Sequence, residues 1–208
     1  MAESRIRILS VDDHPLVREG IARVINDETD MAVVATAATG RQAIEQFEKH
    51  RPDVLLLDLR LPDMSGIEVL TAMRSEFEDV RALMLTTAEG DVEIQHALEA
   101  GARGYLLKSA SPNELTEAIR QVNAGEKYIS LEVASQLAKF VTEPDLTNRE
   151  IEVLEYIASG NRNRDIGELL NISEETVKTH ISHIMEKLGA QDRAEAITIG
   201  VRRGILRL

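Results

Sequence analysis

Five short apolar runs are spread over the first half of the chain: Ile6-Arg7-Ile8-Leu9-Ser10-Val11, the weaker Ala32-Val33-Val34-Ala35, Val54-Leu55-Leu56-Leu57, Ala82-Leu83-Met84-Leu85 and Tyr105-Leu106-Leu107. Runs that are nearly continuous, rather than alternating, suit strands buried on both faces, which happens when helices cover both sides of a parallel sheet. Helical patterns fill the gaps, from Pro15 to Ile25, Arg41 to Lys49, Ile67 to Arg74, Asp91 to Ala100 and Pro112 to Ala124. Pro15 and Pro112 fit first-turn positions and Gly125 fits a helix end. Five strand-then-helix units in about 125 residues predict a doubly wound α/β domain with right-handed connections.

From Asp145 onward no such run recurs, and the pattern becomes four helices with start and stop signals. Thr147-Asn148-Arg149-Glu150 and Asp192-Arg193-Ala194-Glu195 have capping-box spacing, Asn163 and Ser173 are candidate N-caps, and Gly160, Gly189 and Gly204 sit where helices should stop. The expected organisation is a first domain over 1–126, a partly helical linker over 127–144 and an all-α domain over 145–208. Thr142-Glu143-Pro144-Asp145 is the best breakpoint, because a proline among polar residues interrupts both patterns.

Composition narrows the chemistry. The 208 residues include no cysteine, which excludes disulfides, thiolate metal sites and a cysteine nucleophile. No apolar run approaches the ~18 residues of a membrane span and no signal-peptide core precedes the first run, so a cytoplasmic protein without a membrane partner is expected. The net charge of −12 argues against whole-surface binding to nucleic acid and leaves room for a local basic face.

In four of the five runs a polar residue follows at the C-terminal end. Asp12 and Asp13 follow the first run, Asp58 the third, Thr86 and Thr87 the fourth, and Lys108 the fifth. In a parallel sheet these C-terminal ends share one edge, and ligands of doubly wound folds bind in the crevice there. Three carboxylates in one crevice repel each other unless a cation compensates, and hard oxygen donors suit Mg²⁺. Asp58 is the candidate nucleophile, since a carboxylate can accept a phosphoryl group while a metal ion and an ammonium neutralise the charge developing on its oxygens. Each residue alone has an ordinary alternative: a turn or cap aspartate, a β-forming threonine, a solvated lysine. His14 is read as a residue of the site rim.

These residues resemble the receiver domain of bacterial two-component response regulators, over about residues 5 to 125. The resemblance rests on Val11-Asp12-Asp13, Leu57-Asp58-Leu59-Arg60-Leu61-Pro62-Asp63-Met64-Ser65-Gly66, Leu85-Thr86 and Tyr105-Leu106-Leu107-Lys108. It implies a five-stranded, flavodoxin-like sheet in which Asp58 accepts phosphate from a sensor histidine kinase. Mg²⁺ would be held by Asp13, Asp58 and the main-chain carbonyl of Arg60, with Asp12 acting through water. Thr86 and Lys108 would contact the phosphoryl oxygens, and Tyr105 would turn with Thr86 as a switch. Many receivers have Pro after the lysine; Ser109 here leaves a cis bond after Lys108 in question, since a cis non-proline bond costs ~3–4 kcal/mol.

In the second domain, Asn163 to Leu170 and Ser173 to Leu188 are separated only by Asn171-Ile172, the tight connection of a helix-turn-helix. Val177, Ile181, Ile184 and Leu188 form one apolar stripe, leaving Glu175, Lys178, Thr179, Ser182, His183 and Glu186 on the outer face. Residues 141–208 carry 9 basic against 12 acidic side chains, so a DNA reader must concentrate its positive charge, with Arg162, Arg164, Lys178, Lys187 and Arg193 as candidates. Leu146-Thr147-Asn148-Arg149-Glu150, Asp165-Ile166, Thr176-Val177-Lys178-Thr179-His180-Ile181 and Ile184-Met185-Glu186-Lys187-Leu188 resemble the LuxR/NarL/FixJ-type helix-turn-helix. That resemblance places Lys178, Thr179 and Ser182 at bases or nearby backbone, and Thr176, His180 and Lys187 at phosphates, of double-stranded promoter DNA.

The whole then reads as a regulator that is phosphorylated at Asp58, dimerises and binds promoters, rather than as an enzyme. The helix Arg193 to Arg203, with Ala196, Ile197, Gly200 and Val201 on one side, is a candidate dimer contact. An aspartate-dependent phosphatase is the rival that leaves the C-terminal helices without a role. A second rival keeps the receiver and makes the C-terminal domain a protein-binding module.

Overall fold

The computed structural model describes residues 5–87, 90–140 and 146–206. The expected breakpoint Thr142-Glu143-Pro144-Asp145 lies outside them. The chain divides into two compact units, one over 1–88 and 94–134 and the other over 89–93 and 135–208.

The first unit alternates strands and helices: β1 (Ile6–Val11), α1 (Pro15–Asp27), β2 (Met31–Ala37), α2 (Gly40–His50), β3 (Val54–Asp58), α3 (Gly66–Glu76), β4 (Ala82–Thr86), α4 (Asp91–Glu99), β5 (Gly104–Leu107), α5 (Pro112–Asn123) and β6 (Tyr128–Ile129). The strands pair in parallel in the order β2-β1-β3-β4-β5-β6. Side chains alternate across each strand. Ile8, Val54, Leu56, Leu83, Leu85 and Leu106 therefore reach one face, where Ile25 of α1 and Leu115, Ala118, Ile119 and Val122 of α5 close the core. Burial of both faces explains why β3 and β4 read as unbroken apolar runs.

The sheet has six strands where the sequence predicts five. The sixth lies in the segment read as linker: the Tyr128 N–H donates to the Arg103 carbonyl (2.9 Å) and the Ser130 N–H to that of Tyr105 (3.4 Å). Two residues carry no period, so β6 leaves no trace in the pattern. The helix α6 (Leu131–Phe140) follows directly, within the linker expected to be partly helical. All described peptide bonds are trans, the Lys108–Ser109 bond included.

The second unit contains α7 (Asn148–Ala158), α8 (Asn163–Leu170), α9 (Glu174–Leu188) and α10 (Arg193–Arg202). Val153, Leu154, Ile157, Ile166, Val177, Ile181, Ile184, Leu188, Ala196 and Leu206 form its core. Thr147 and Glu150 make the predicted capping box, and Ser173 and Asp192 cap α9 and α10. The cap of α8 is Arg162, not Asn163, with the Asp165 carboxylate accepting from its N–H at 3.2 Å. The connection between α8 and α9 turns through Asn171 at φ 54°. Gly167 lets the turn close, since a Cβ there would lie 2.8 Å from the Ile172 carbonyl oxygen.

The apolar side of α10 suggested as a dimer contact is turned inward in part, with Ala196 and Gly200 buried and Ile197 and Val201 half-buried. Ala196 belongs to the domain core, Ile197 and Val201 pack against it, and a Cβ on Gly200 would meet Leu154 and Leu206 at 3.1 Å.

Candidate functional site

The strand order places β1 between β2 and β3, so the chain leaves the sheet in opposite directions from neighbouring strands and opens a crevice at their C-terminal ends. Asp12 follows β1, Asp58 ends β3, Thr86 ends β4 and Lys108 follows β5. The predicted convergence is complete for the charged groups: Lys108 Nζ lies 2.6 Å from Asp12 Oδ2 and 2.6 Å from Asp58 Oδ2. The side chains of Asp12 and Asp58 are only 1% and 5% exposed, so an ion that water would otherwise solvate is balanced by one shared ammonium. Thr86 is buried beside them, and its carbonyl accepts the Lys108 N–H at 2.8 Å, which ties the ends of β4 and β5 together.

Electrostatics follow from this packing. Burial pushes the Asp58 carboxyl above the usual aspartate range, and the Lys108 ammonium and the Arg60 N–H offset that only in part. Burial presses the Lys108 ammonium down, but its bonds to Asp12 and Asp58 outweigh it and hold the group above the ordinary lysine value. Asp13 and His14 complete the cluster. His14 Nδ1 is 2.6 Å from Asp13 Oδ1 and 3.3 Å from Asp12 Oδ1, with the imidazole largely in solvent, as a rim residue should be. The ligand atoms of Asp12, Asp13, His14 and Asp58 all lie within 4.8 Å of one another. Three carboxylates against a single lysine leave uncompensated negative charge, and an oxygen-rich donor set of this kind fits a hard divalent cation.

Several supports were not singled out from the sequence. The Arg60 N–H donates to Asp58 Oδ1 at 3.3 Å, and the Arg18 guanidinium donates to the Asp12 carbonyl. Gly66 lets α3 start against the site: a Cβ there would stand 2.3 Å from the Asp58 carbonyl oxygen. The Asp63 carboxylate caps the start of α2, accepting from the N–H groups of Gly40 (2.7 Å) and Arg41 (3.0 Å). Those bonds, that of Arg41 foremost, hold its carboxyl below the usual range. The motif in which Gly66 and Asp63 sit signals their presence, but nothing local tells what they touch. Tyr105 is fully buried in β5, in register with Met84 of β4 and Ile129 of β6.

In the second unit α8 and α9 form the predicted helix-turn-helix. Val177, Ile181, Ile184 and Leu188 are buried, and Thr176, Lys178, Thr179 and Ser182 are exposed, with His180 half-buried. Lys178 reaches back to Glu175 (3.3 Å) and Glu174 (3.5 Å) on its own helix, Glu175 foremost in raising its ammonium above the ordinary value. Lys187, which the resemblance places at a phosphate, also makes a contact within its own domain. Its Nζ sits 2.7 Å from Oε2 of the buried Glu150, fastening the end of α9 to the capping box of α7.

A parallel sheet with carboxylates gathered at its C-terminal edge, joined in one chain to a helix-turn-helix, is the build of a DNA-binding regulator. Residues 8–120 match the response regulator receiver domain and residues 144–199 match the bacterial regulatory proteins of the luxR family. The chain belongs to the response regulators with a LuxR-type helix-turn-helix, proteins that regulate transcription. It is 39% identical to the uncharacterized transcriptional regulatory protein YxjL of Bacillus subtilis (strain 168), over 99% of this chain and 100% of that one. Among solved structures it is similar to the response regulator ChrA of a heme-sensing two-component system, with 36% identity, a TM-score of 0.60 and coverage of 98% and 100% of the two chains. It also shares the fold of RcsB from Salmonella enterica serovar Typhimurium bound to a promoter, with 24% identity, a TM-score of 0.76 and coverage of 94% and 98%. No described helix is long and apolar enough to cross a membrane.

Proposed function

We propose that Asp58 is the phosphoacceptor of this regulator and that its phosphorylation by a sensor histidine kinase pairs two chains on promoter DNA. The observation that carries the reading is the double salt bridge of Lys108 to Asp12 and Asp58 at the switch point of the sheet. An Asp58 oxygen attacks the phosphorus of a phosphohistidine, forming a P–O bond as the P–N bond breaks, and the departing imidazole takes up a proton. Lys108 is then positioned to turn from carboxylate to phosphoryl oxygen, and Thr86 lies at the neighbouring strand end to donate its hydroxyl. Asp13, Asp58 and the Arg60 carbonyl would hold Mg²⁺, with Asp12 behind a water; the ion supplies charge neutralisation for the oxygens of the transferring group. Slow hydrolysis at the same site would return the resting state.

Movement of Thr86 toward a phosphoryl group would leave space beside β4 that Tyr105 can follow into, giving the sheet two arrangements for a modification to choose between. Thr176, Lys178, Thr179, His180 and Ser182 form the DNA-facing set on α9. Pairing supplies affinity that one acidic chain lacks, because two weak modules held together act at high effective concentration on a two-fold operator.

Light scattering of the purified chain with Mg²⁺, before and after beryllofluoride, tests the reading alongside Asp58→Asn. A monomer-to-dimer shift confined to the wild type is expected. An unchanged mass in the wild type, or an equal shift in Asp58→Asn, contradicts it.

A further inference from the structure

Resting on the assignment of α9 as the helix that reads DNA, we propose that Glu175 and Lys178 together read one C·G base pair in the major groove. Glu175, Lys178, Thr179 and Ser182 are spaced i, i+3, i+4 and i+7, so they form one exposed stripe on the side of α9 opposite Val177, Ile181 and Ile184. A recognition helix presents its N-terminal residues to base edges. Glu175 is the second residue of α9, its side chain is 82% exposed, and its Oε2 lies 3.3 Å from Lys178 Nζ.

A carboxylate facing DNA is repelled by the phosphates and accepts hydrogen bonds only. The major-groove edge offers it two donors, the N4 amino group of cytosine and the N6 amino group of adenine. Lysine donates only, to O6 and N7 of guanine, N7 of adenine or O4 of thymine. Within one base pair, the amino donor and the carbonyl acceptor are Watson–Crick partners roughly 2.9 Å apart. The acceptor and donor of the Glu175–Lys178 pair stand at nearly that separation.

C·G and A·T both offer this donor beside an acceptor, and the flanking groups decide between them. In C·G the guanine N7 gives Lys178 a second acceptor, and the cytosine C5–H leaves Glu175 undisturbed. In A·T the two acceptors, adenine N7 and thymine O4, lie on opposite sides of the amino group, so the ammonium reaches only one of them and the other opposes the carboxylate. The pair therefore prefers C·G and fixes its orientation, with cytosine under Glu175. An acid in the first turn also suits the helix dipole, and that role alone confers no base preference.

The test is selection from a pool of random duplexes by the beryllofluoride-treated full chain, for wild type, Glu175→Ala and Glu175→Gln. The wild type should enrich a C·G pair at one position of each half-site, with tenfold or greater loss on replacing it. Glu175→Ala should bind with that position relaxed. Glu175→Gln should shift it toward adenine, whose N6 and N7 suit an amide. If both variants keep every wild-type preference and bind all duplexes more tightly by a common factor, Glu175 is only a counter-charge and the proposal fails. If the wild type enriches no sequence, the DNA-reading assignment fails with it.

Discussion

Replacing Lys187 by Met isolates what its ammonium does, because the stem is kept and only the charge is lost. In the wild type, Glu150 Oε2 accepts from Lys187 Nζ (2.7 Å), the Thr147 N–H (2.7 Å) and the Thr147 hydroxyl (2.9 Å). Breaking a fully buried ion pair costs about 3–5 kcal/mol, and an exposed one at most about 1. Glu150 is 5% exposed and Lys187 25%, and two of the three bonds survive, so a cost of about 2 kcal/mol is expected at neutral pH. Hydrogen–deuterium exchange of α7 and α9 in the full chain, referred to intrinsic rates, should then quicken about 30-fold.

The pH dependence supplies a second check. Burial pushes the Glu150 carboxyl up, but Lys187 and Thr147 outweigh it, so the folded group lies below the usual glutamate range. Its contribution is present above the unfolded value of about 4.3 and is lost as pH falls through the folded one. The deficit of Lys187→Met should accordingly be full at pH 7 and shrink as pH falls below about 4. Adding Glu150→Gln, which keeps the capping box, should recover most of it. Unaltered exchange in Lys187→Met with weakened DNA binding would refute the structural role and restore the lysine to the phosphate backbone.

Gly66→Ala should destabilise the receiver by about 2 kcal/mol or more, because the added Cβ meets the Asp58 carbonyl oxygen at 2.3 Å and neither is free to yield; thermal unfolding followed by circular dichroism checks it. Asp63→Asn should cost about 0.5 kcal/mol through the weakened cap of α2, with solvent screening keeping the figure small. Because the Asp63 carboxyl is lowered on folding, that loss should be present at pH 7 and vanish as pH falls below the ordinary aspartate value. Lys178→Ala should weaken binding to the selected operator about tenfold or more while leaving the slope of log K against log salt nearly unchanged, as for a lysine on a base edge; a slope reduced by about 0.9 would place it on a phosphate instead.

The parts of the fold legible in the sequence are those with a period and a punctuation. Val54-Leu55-Leu56-Leu57 and Ala82-Leu83-Met84-Leu85 announce strands covered on both faces, and the polar residues that end them announce the edge where a site can form. Asp12, Asp58 and Lys108 are legible because three separate runs end in polarity at equivalent places, and a parallel sheet brings those ends to one edge. What the sequence hides is pairing at a distance. The strand β6 is held by only a few backbone bonds to β5 and has no length for a pattern. Lys187 reads as a free cation until α9 is laid against α7, and the apolar side of α10 reads as sticky until Leu154 and Leu206 are seen beneath it. Asp63 likewise caps a helix that begins 23 residues before it.

The central claim is that phosphoryl transfer to Asp58 governs binding to DNA. Its most direct test is the affinity of the full chain for a selected operator, by fluorescence anisotropy with Mg²⁺, before and after exposure to a small acyl phosphate donor, in wild type and Asp58→Asn. The account predicts tighter binding after treatment in the wild type only, together with an acid-stable, base-labile phosphate on that protein alone. Equal tightening in Asp58→Asn, or phosphate bound at Asp58 with no change in affinity, would contradict it.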